Sequence, residues 1–192
     1  MPERAARDLQ VRLSGSGGQG LILSGRVLAA ALVLEGKRVA QSQSYEPTSR
    51  GGLSRSDLVI GDEIPDYPLV TALDYLLILD DCAAAVSTPV LRPGATVLTD
   101  DLHVTEPPSG DFTVHRLPLA ETARALGNER ATNMVALGAL VGLTGICALA
   151  SLERAVRGGV PKRFVELNLT AVDEGRQLVR PPEDGRSSAA GA

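Results

Sequence analysis

A glycine-rich run, Gly15-Ser16-Gly17-Gly18-Gln19-Gly20, separates a short alternating segment from a long apolar one. Residues 9–13 have the alternation of a β-strand, and residues 21–35 are alanine-rich and contain no proline, as expected of a helix. Glycine is favoured in a tight turn because it adopts backbone conformations that other residues disfavour. The run therefore predicts a strand, a tight turn and a helix.

The rest of the chain first mixes strands with turns and then becomes helical. Strand patterns cover residues 38–43, 56–60, 73–79, 95–99 and 112–117. Helical patterns cover residues 83–91, 119–126, 132–146, 151–157 and 164–179. We expect the second strand to run parallel to the first, and Gly61-Asp62-Glu63 to form a hairpin turn. The pattern predicts an α/β fold, an open mostly parallel sheet with helices on both faces (a three-layer sandwich) and a helical C-terminal part.

The size and composition are those of a single globular domain. With 192 residues, the chain is long enough for one full core, which we place in residues 1–180. Only 3% of the residues are aromatic, so Leu, Val, Ile and Ala must fill the interior. Residues 181–192 are mostly Pro, Gly, Ser and Ala with few apolar side chains to bury, which predicts a disordered tail.

Charge and apolar patterning exclude several classes of partner. A net charge of -4 provides no basic surface for a phosphate backbone, so we expect no nucleic acid partner. The longest apolar stretches are interrupted before they reach the length of a bilayer span, so we expect no membrane partner and a cytoplasmic protein. Cys82 and Cys147 lack a second cysteine at metal-ligand spacing and are interpreted as buried packing residues.

The glycine run matches the dinucleotide-binding pattern G-x-G-x-x-G, but the next feature of that fold is missing. A nicotinamide enzyme needs an acid near the end of the second strand, where this chain has Ala40-Gln41-Ser42-Gln43. Two interpretations remain open. The turn and the helix N-terminus can hold an anion or the edge of a cofactor, or the glycines can simply allow the helix to pack closely on the sheet.

A second candidate site is the loop that follows the second strand. Residues 43–52 include Tyr45, Arg50, Gly51 and Gly52, and ligands of open α/β sheets collect at this edge. Arg50 can contact a carboxylate or phosphate through two parallel hydrogen bonds, or it can lie in a solvated surface loop.

The remaining polar residues do not predict catalysis by this chain. His103 and His115 have no metal-ligand pattern around them, and Asp80, Asp81, Asp100 and Asp101 stand where carboxylates commonly cap turns and helices. Asn133 can line a cleft or cap a helix. We therefore predict no catalytic residue and no metal ligand.

Taken together, these motifs resemble the γ domain of pyruvate, 2-oxoisovalerate, 2-oxoglutarate and indolepyruvate ferredoxin oxidoreductases. The resemblance covers nearly the whole chain. It rests on the segments Arg12-Leu13-Ser14 with the glycine run, Glu35-Gly36-Lys37, Gln43-Ser44-Tyr45, Arg50-Gly51-Gly52, Ser54-Arg55-Ser56-Asp57, Asn133-Met134-Val135-Ala136-Leu137-Gly138 and Glu166-Leu167-Asn168. The loop at residues 43–57 is most similar to that of the 2-oxoglutarate or general 2-oxoacid type.

The resemblance implies a γ subunit of a thiamine-dependent enzyme that oxidatively decarboxylates a 2-oxoacid to its acyl-CoA, with ferredoxin as electron acceptor. Thiamine diphosphate, Mg²⁺ and an iron-sulfur cluster would lie in partner subunits, and coenzyme A would be the co-substrate. Two cysteines cannot ligate a four-cysteine cluster, in agreement with that division. The implied partners are the α and β subunits, with a ferredoxin-like δ subunit and a homodimer of the isolated chain left open.

The implied role of this chain is to close the active site and border the coenzyme A channel. The candidate contact residues are Gly15, Gly17, Gly18, Gln19, Gly20, Tyr45, Arg50, Gly51 and Gly52. The alternatives are a free-standing nucleotide-binding α/β protein and a γ-like scaffold without oxidoreductase partners.

Overall fold

The computed structural model describes residues 7–46 and 51–180, which hold six strands and six helices. The strands are β1 (Leu9–Ser16), β2 (Arg38–Tyr45), β3 (Leu53–Gly61), β4 (Leu73–Ile78), β5 (Leu91–Asp100) and β6 (Thr113–Leu117). The helices are α1 (Leu21–Leu34), α2 (Ala84–Ser87), α3 (Leu119–Ala125), α4 (Thr132–Thr144), α5 (Leu149–Gly159) and α6 (Val165–Gln177). Each strand and helix expected from the sequence is present. The predicted tail, residues 181–192, lies outside the described residues.

The strands form one open sheet in the order β2-β3-β1-β4-β5-β6. The pairs β1–β4, β4–β5 and β5–β6 are parallel, whereas β3 is antiparallel to both of its neighbours, β1 and β2. The predicted mostly parallel sheet is confirmed, and β2 runs in the same direction as β1.

The expected hairpin turn at Gly61-Asp62-Glu63 is wrong, because β1 lies between β3 and β4. The hairpin is instead formed by β2 and β3, with Tyr45 opposite Ser54 at the end next to the connecting loop. A turn pattern shows where the chain changes direction, but the pairing partner of a strand is decided by contacts distant in sequence.

Helices lie on both faces of the sheet, but they cover the two faces unequally. Leu77 and Leu79 belong to the larger core cluster, which includes residues of α1, α3, α4, α5 and α6. Leu76 and Ile78 belong to a smaller cluster on the opposite face, with Ala84 of α2. Since successive residues of a strand point to opposite faces, this alternation assigns the long helices to one side of the sheet.

The interior is aliphatic, as the composition predicts. Its largest fully buried side chains are leucines and one isoleucine. Cys147 is buried as expected, whereas the prediction for Cys82 is wrong, because this residue is exposed. The neighbouring Ala83 and Ala84 fill the core at that position. No helix in the described part of the chain is long and apolar enough to cross a membrane.

Candidate functional site

The glycine turn joins the C-terminal end of β1 to the N-terminal end of α1. Gly18 has φ 99° and Gly20 has φ 75°, conformations that L-residues with side chains rarely adopt. A Cβ on Gly20 would collide with Nδ2 of Asn133, which donates a hydrogen bond to the Gly20 carbonyl at 3.2 Å. Asn133 is inside α4, so of its two interpretations the structure supports the cleft residue rather than the cap.

The Gln19 side chain fastens this turn to the sheet. Its Oε1 accepts a hydrogen bond from the Ser16 backbone at 2.8 Å, and its Nε2 donates to the Leu79 carbonyl at 2.9 Å. Gly15 leaves the space for this amide, because a Cβ there would collide with Gln19 Oε1. Both polar groups of the Gln19 side chain are therefore used inside the fold. Of the predicted contact residues, Gln19 has a structural role.

Gly52, at the end of the second candidate loop, lies beside the turn. The Gly17 N–H donates to the Gly52 carbonyl at 2.8 Å, which joins the two segments that the sequence singled out. Gly51 is exposed and has φ 73°. Tyr45, at the end of β2, is 70% exposed. Arg50 lies outside the described residues.

A groove runs along the turn and is made of two adjoining cavities of about 480 and 460 Å³. Both cavities are lined by Gly18, Asn128 and Arg130. The first cavity is also lined by Gln19, His103, Gly127, Glu129 and Thr132. The second cavity is also lined by Gly20, Leu23, Ala131, Asn133, Phe164, Leu167 and Asn168. We call this pair of cavities the turn groove.

The turn groove can accommodate an anion. The N–H groups of Gly18 and Gly20 donate to no protein acceptor among the described residues. Arg130 is exposed and forms no ion pair there. Free amides at a helix N-terminus beside a guanidinium suit a phosphate or carboxylate.

His103 contributes to the groove, although no sequence pattern around it indicates a site. Its Nδ1 lies 2.6 Å from Oδ2 of Asp100, which is completely buried and also accepts the Ala120 N–H at 2.9 Å. Its Nε2 lies 3.9 Å from Oε1 of Glu129. Asp100 therefore caps the start of α3, as expected of an acid at a strand end, and also orients His103.

Glu129 is held at the rim of the groove by an arginine. Nε and a terminal nitrogen of Arg124 donate to its two oxygens at 3.0 and 2.9 Å. These hydrogen bonds keep the pKa of Glu129 below its ordinary value. The charge of Arg124 is thereby neutralised. Arg130 is the arginine of the groove lining, and it has no ion pair among the described residues.

Strand order argues against a dinucleotide site. In the nucleotide-binding arrangement the second strand lies next to the first, and its end places an acid near the glycine turn. Here β3 lies between β1 and β2, so the end of β2 is about 9.6 Å from β1 at the usual strand spacing. The residues at that end are Gln43, Ser44 and Tyr45, none of which is acidic.

Comparison with known proteins identifies the family. The family model described as pyruvate ferredoxin/flavodoxin oxidoreductase matches residues 10–178. The chain is 39% identical to the 2-oxoglutarate synthase subunit KorC of Methanocaldococcus jannaschii, over 89% of this chain and 94% of that protein.

Two solved structures are similar along nearly the whole chain. The γ subunit of a keto/oxoacid ferredoxin oxidoreductase from Geobacter sulfurreducens has a TM-score of 0.78 and 39% identity, and the match covers 88% of this chain and 96% of that one. The 2-oxoglutarate:ferredoxin oxidoreductase of Magnetococcus marinus, solved with 2-oxoglutarate, coenzyme A and succinyl-CoA bound, has a TM-score of 0.79 and 26% identity. The match covers 90% of this chain but 31% of that one. The chain belongs to the pyruvate ferredoxin/flavodoxin oxidoreductase family.

Proposed function

We propose that this chain is the γ subunit of a thiamine-dependent 2-oxoglutarate:ferredoxin oxidoreductase. The reaction would convert 2-oxoglutarate and coenzyme A into CO₂ and succinyl-CoA, with the electrons passing to ferredoxin. The observation that carries the proposal is the 39% identity, over most of both chains, to a protein named as a 2-oxoglutarate synthase subunit. The loop at residues 43–57, which resembles the 2-oxoglutarate or general 2-oxoacid type, is compatible with this substrate.

In this proposal the chain has a structural task in catalysis. Thiamine diphosphate with Mg²⁺, held by the α and β subunits, supplies the decarboxylation chemistry, and a cluster in a partner carries the electrons. This chain docks on those subunits and excludes water from the shared site.

The glycine turn and the loop beside it form the edge that we place at the coenzyme A channel. Its residues are Gly15, Gly17, Gly18, Gln19, Gly20, Tyr45, Arg50, Gly51 and Gly52. The hydrogen bond between Gly17 and Gly52 supports this placement, because it joins the end of the loop to the glycine turn. The N–H groups of Gly18 and Gly20, which have no acceptor within residues 7–46 and 51–180, would suit a phosphate of coenzyme A. Gln19 would act indirectly, by holding the turn.

The test is reconstitution with the thiamine-binding α and β subunits from the same organism. We expect 2-oxoglutarate-dependent and coenzyme A-dependent dye reduction by the complex, and none by the isolated chain. The α and β subunits alone should lose most of the coenzyme A-dependent rate. Full activity without this chain would contradict the proposal, and activity with a different 2-oxoacid in place of 2-oxoglutarate would reject the substrate assignment.

Arg50 offers a sharper test of the channel. Arg50→Ala should lower kcat/KM for coenzyme A by about tenfold to a hundredfold, the loss expected for a charge-assisted hydrogen bond. Arg50→Lys should recover only part of the lost kcat/KM, because the point charge of lysine cannot replace two parallel hydrogen bonds. The control is Arg154→Ala, which removes an exposed arginine of α5. Equal kinetics for the Arg50 and Arg154 variants would place Arg50 away from the channel.

A further inference from the structure

Several residues that carry the family resemblance lie away from the turn groove, on the opposite face of the sheet. On the α1 side of β3, the Ser56 hydroxyl accepts a hydrogen bond from Gln41 at 2.8 Å and lies where a Cβ on Gly25 of α1 would be. Because side chains alternate along a strand, Arg55 and Asp57 project from the other face.

Asp57 forms a buried ion pair with Arg12 of β1. The Arg12 Nε and a terminal nitrogen donate to the two Asp57 oxygens, both at 2.8 Å, and the two side chains are 6% and 9% exposed. The parallel geometry satisfies both oxygens and neutralises both charges. This pair therefore adds no net charge to that face of the sheet.

Arg55 adds a positive charge that is not neutralised in the same way. It is half-buried, and it forms no ion pair within residues 7–46 and 51–180. Its neighbours across the sheet are Ser44 on β2 and Ser14 on β1. The Ser14 hydroxyl is buried and has no hydrogen-bond partner among the described residues.

Arg55, Ser44 and the Arg12–Asp57 pair border a small cavity between the sheet and the segment that connects β3 to β4. Its volume is about 210 Å³. The lining residues are Arg12, Ser42, Gln43, Ser44, Arg55, Asp57, Leu69 and Val70. We call it the Arg55 cavity.

We propose that the Arg55 cavity binds a single carboxylate. The Arg55 guanidinium would supply the charge, and the hydroxyls of Ser42 and Ser44 would donate hydrogen bonds. A carboxylate fits better than a phosphate dianion because it carries one negative charge, which matches the single charge of Arg55; Arg12 and Asp57 in the lining neutralise each other. The carboxylate can come from a small molecule or from an Asp or Glu side chain of a partner subunit.

The first experiment is a titration of the isolated full chain with sodium acetate, followed by the NMR signals of the arginine Nε–H groups. Sodium chloride at equal ionic strength is the reference. We expect a saturable shift of the Arg55 signal with a dissociation constant on the order of millimolar, as for a ligand with few contacts. The Arg154 signal should show no saturable shift.

Arg55→Gln should weaken acetate binding about tenfold to a hundredfold. The double variant Ser42→Ala and Ser44→Ala should weaken acetate binding by a smaller factor. Absence of a saturable shift at Arg55 would overturn the proposal, and this arm needs no partner, so it is independent of the proposed function.

The second experiment identifies the source of the carboxylate. In the reconstituted complex, a free small-molecule site predicts that acetate still binds and that Arg55→Gln leaves the subunit affinity unchanged. A partner carboxylate predicts that assembly blocks acetate and that Arg55→Gln raises the dissociation constant of the complex about tenfold or more. A blocked site with unchanged subunit affinity would contradict both sources and reject the proposal.

Discussion

Gly138 of α4 lies against the backbone of Val172 in α6, so closely that a Cβ on Gly138 would overlap the Val172 carbonyl. The contact is reciprocal, because a Cβ on Gly175 of α6 would overlap the carbonyl of Val135 in α4. Glycine at both positions lets the two helices approach to backbone contact. The two obstructing atoms belong to the backbone, so they cannot move aside as a flexible side chain would.

We therefore expect Gly138→Ala to destabilise the fold by about 1–3 kcal/mol, the usual cost of overpacking a core, despite the higher helix propensity of alanine. Gly158→Ala is the matched control. Gly158 lies in α5 with open space at its Cβ position, so alanine there should stabilise by up to about 1 kcal/mol. Urea unfolding measures the change in the free energy of unfolding for both variants. If Gly138→Ala left the free energy of unfolding unchanged, the two helices would be able to move apart without destabilising the fold.

The Arg12–Asp57 pair predicts a large effect of a small substitution. Asp57→Asn removes the charge that neutralises a buried guanidinium, so we expect a loss of about 3–5 kcal/mol in the free energy of unfolding. Asp62→Asn breaks the exposed pair with Lys37, whose side chains are 68% and 43% exposed, and should cost less than about 1 kcal/mol. Chemical denaturation of the two variants compares a buried with an exposed pair directly. Similar losses would show that burial does not determine the effect here.

The Gln19 bridge can be tested without changing its size. Gln19→Glu keeps an acceptor for the Ser16 N–H but places a carboxylate oxygen against the Leu79 carbonyl in place of a donor. We expect the free energy of unfolding to fall by about 1–3 kcal/mol, as it does when a buried hydrogen-bonding group loses its partner. Thermal melts give the stability, and the amide signals of Ser16 and Gly17 show whether the turn has moved. The same melting temperature as the wild type would rule out a structural role for Gln19.

Cys147 predicts a pH-dependent effect. Burial, reinforced by the Glu35 carboxylate, raises the pKa of the Cys147 thiol from 9.0 to about 12. In a Cys82→Ala background, alkylation by iodoacetamide at pH 8 should be about a thousandfold slower than in urea-unfolded protein, in proportion to the thiolate fraction. Mass spectrometry of timed samples measures the rate, and equal rates would contradict the shift.

The same shift affects stability. At pH values above about 9 the unfolded chain ionises Cys147 while the folded chain keeps it neutral, so the free energy of unfolding should fall as pH rises through that range. Cys147→Ala should reduce this dependence. Unfolding curves at pH 8 and pH 10 for both proteins isolate the contribution of the thiol.

The sequence alone determined those features that depend on neighbouring residues. The alternation of residues 9–13, the glycines after them and the apolar residues 21–35 predicted β1, the turn and α1, because periodicity and glycine conformations are local properties. The motif intervals also identified the family before any fold was known.

Tertiary structure decided which of these segments meet. It placed β3 between β1 and β2, which a turn pattern at Gly61 cannot reveal, and it brought Asn133 to the carbonyl of Gly20, 113 residues away in the sequence. It also brought His103 to the glycine turn in the turn groove and paired β3 with β1, which places Arg55 opposite Ser14. Strand pairing and burial depend on contacts between distant residues, and those contacts form only when the whole core packs.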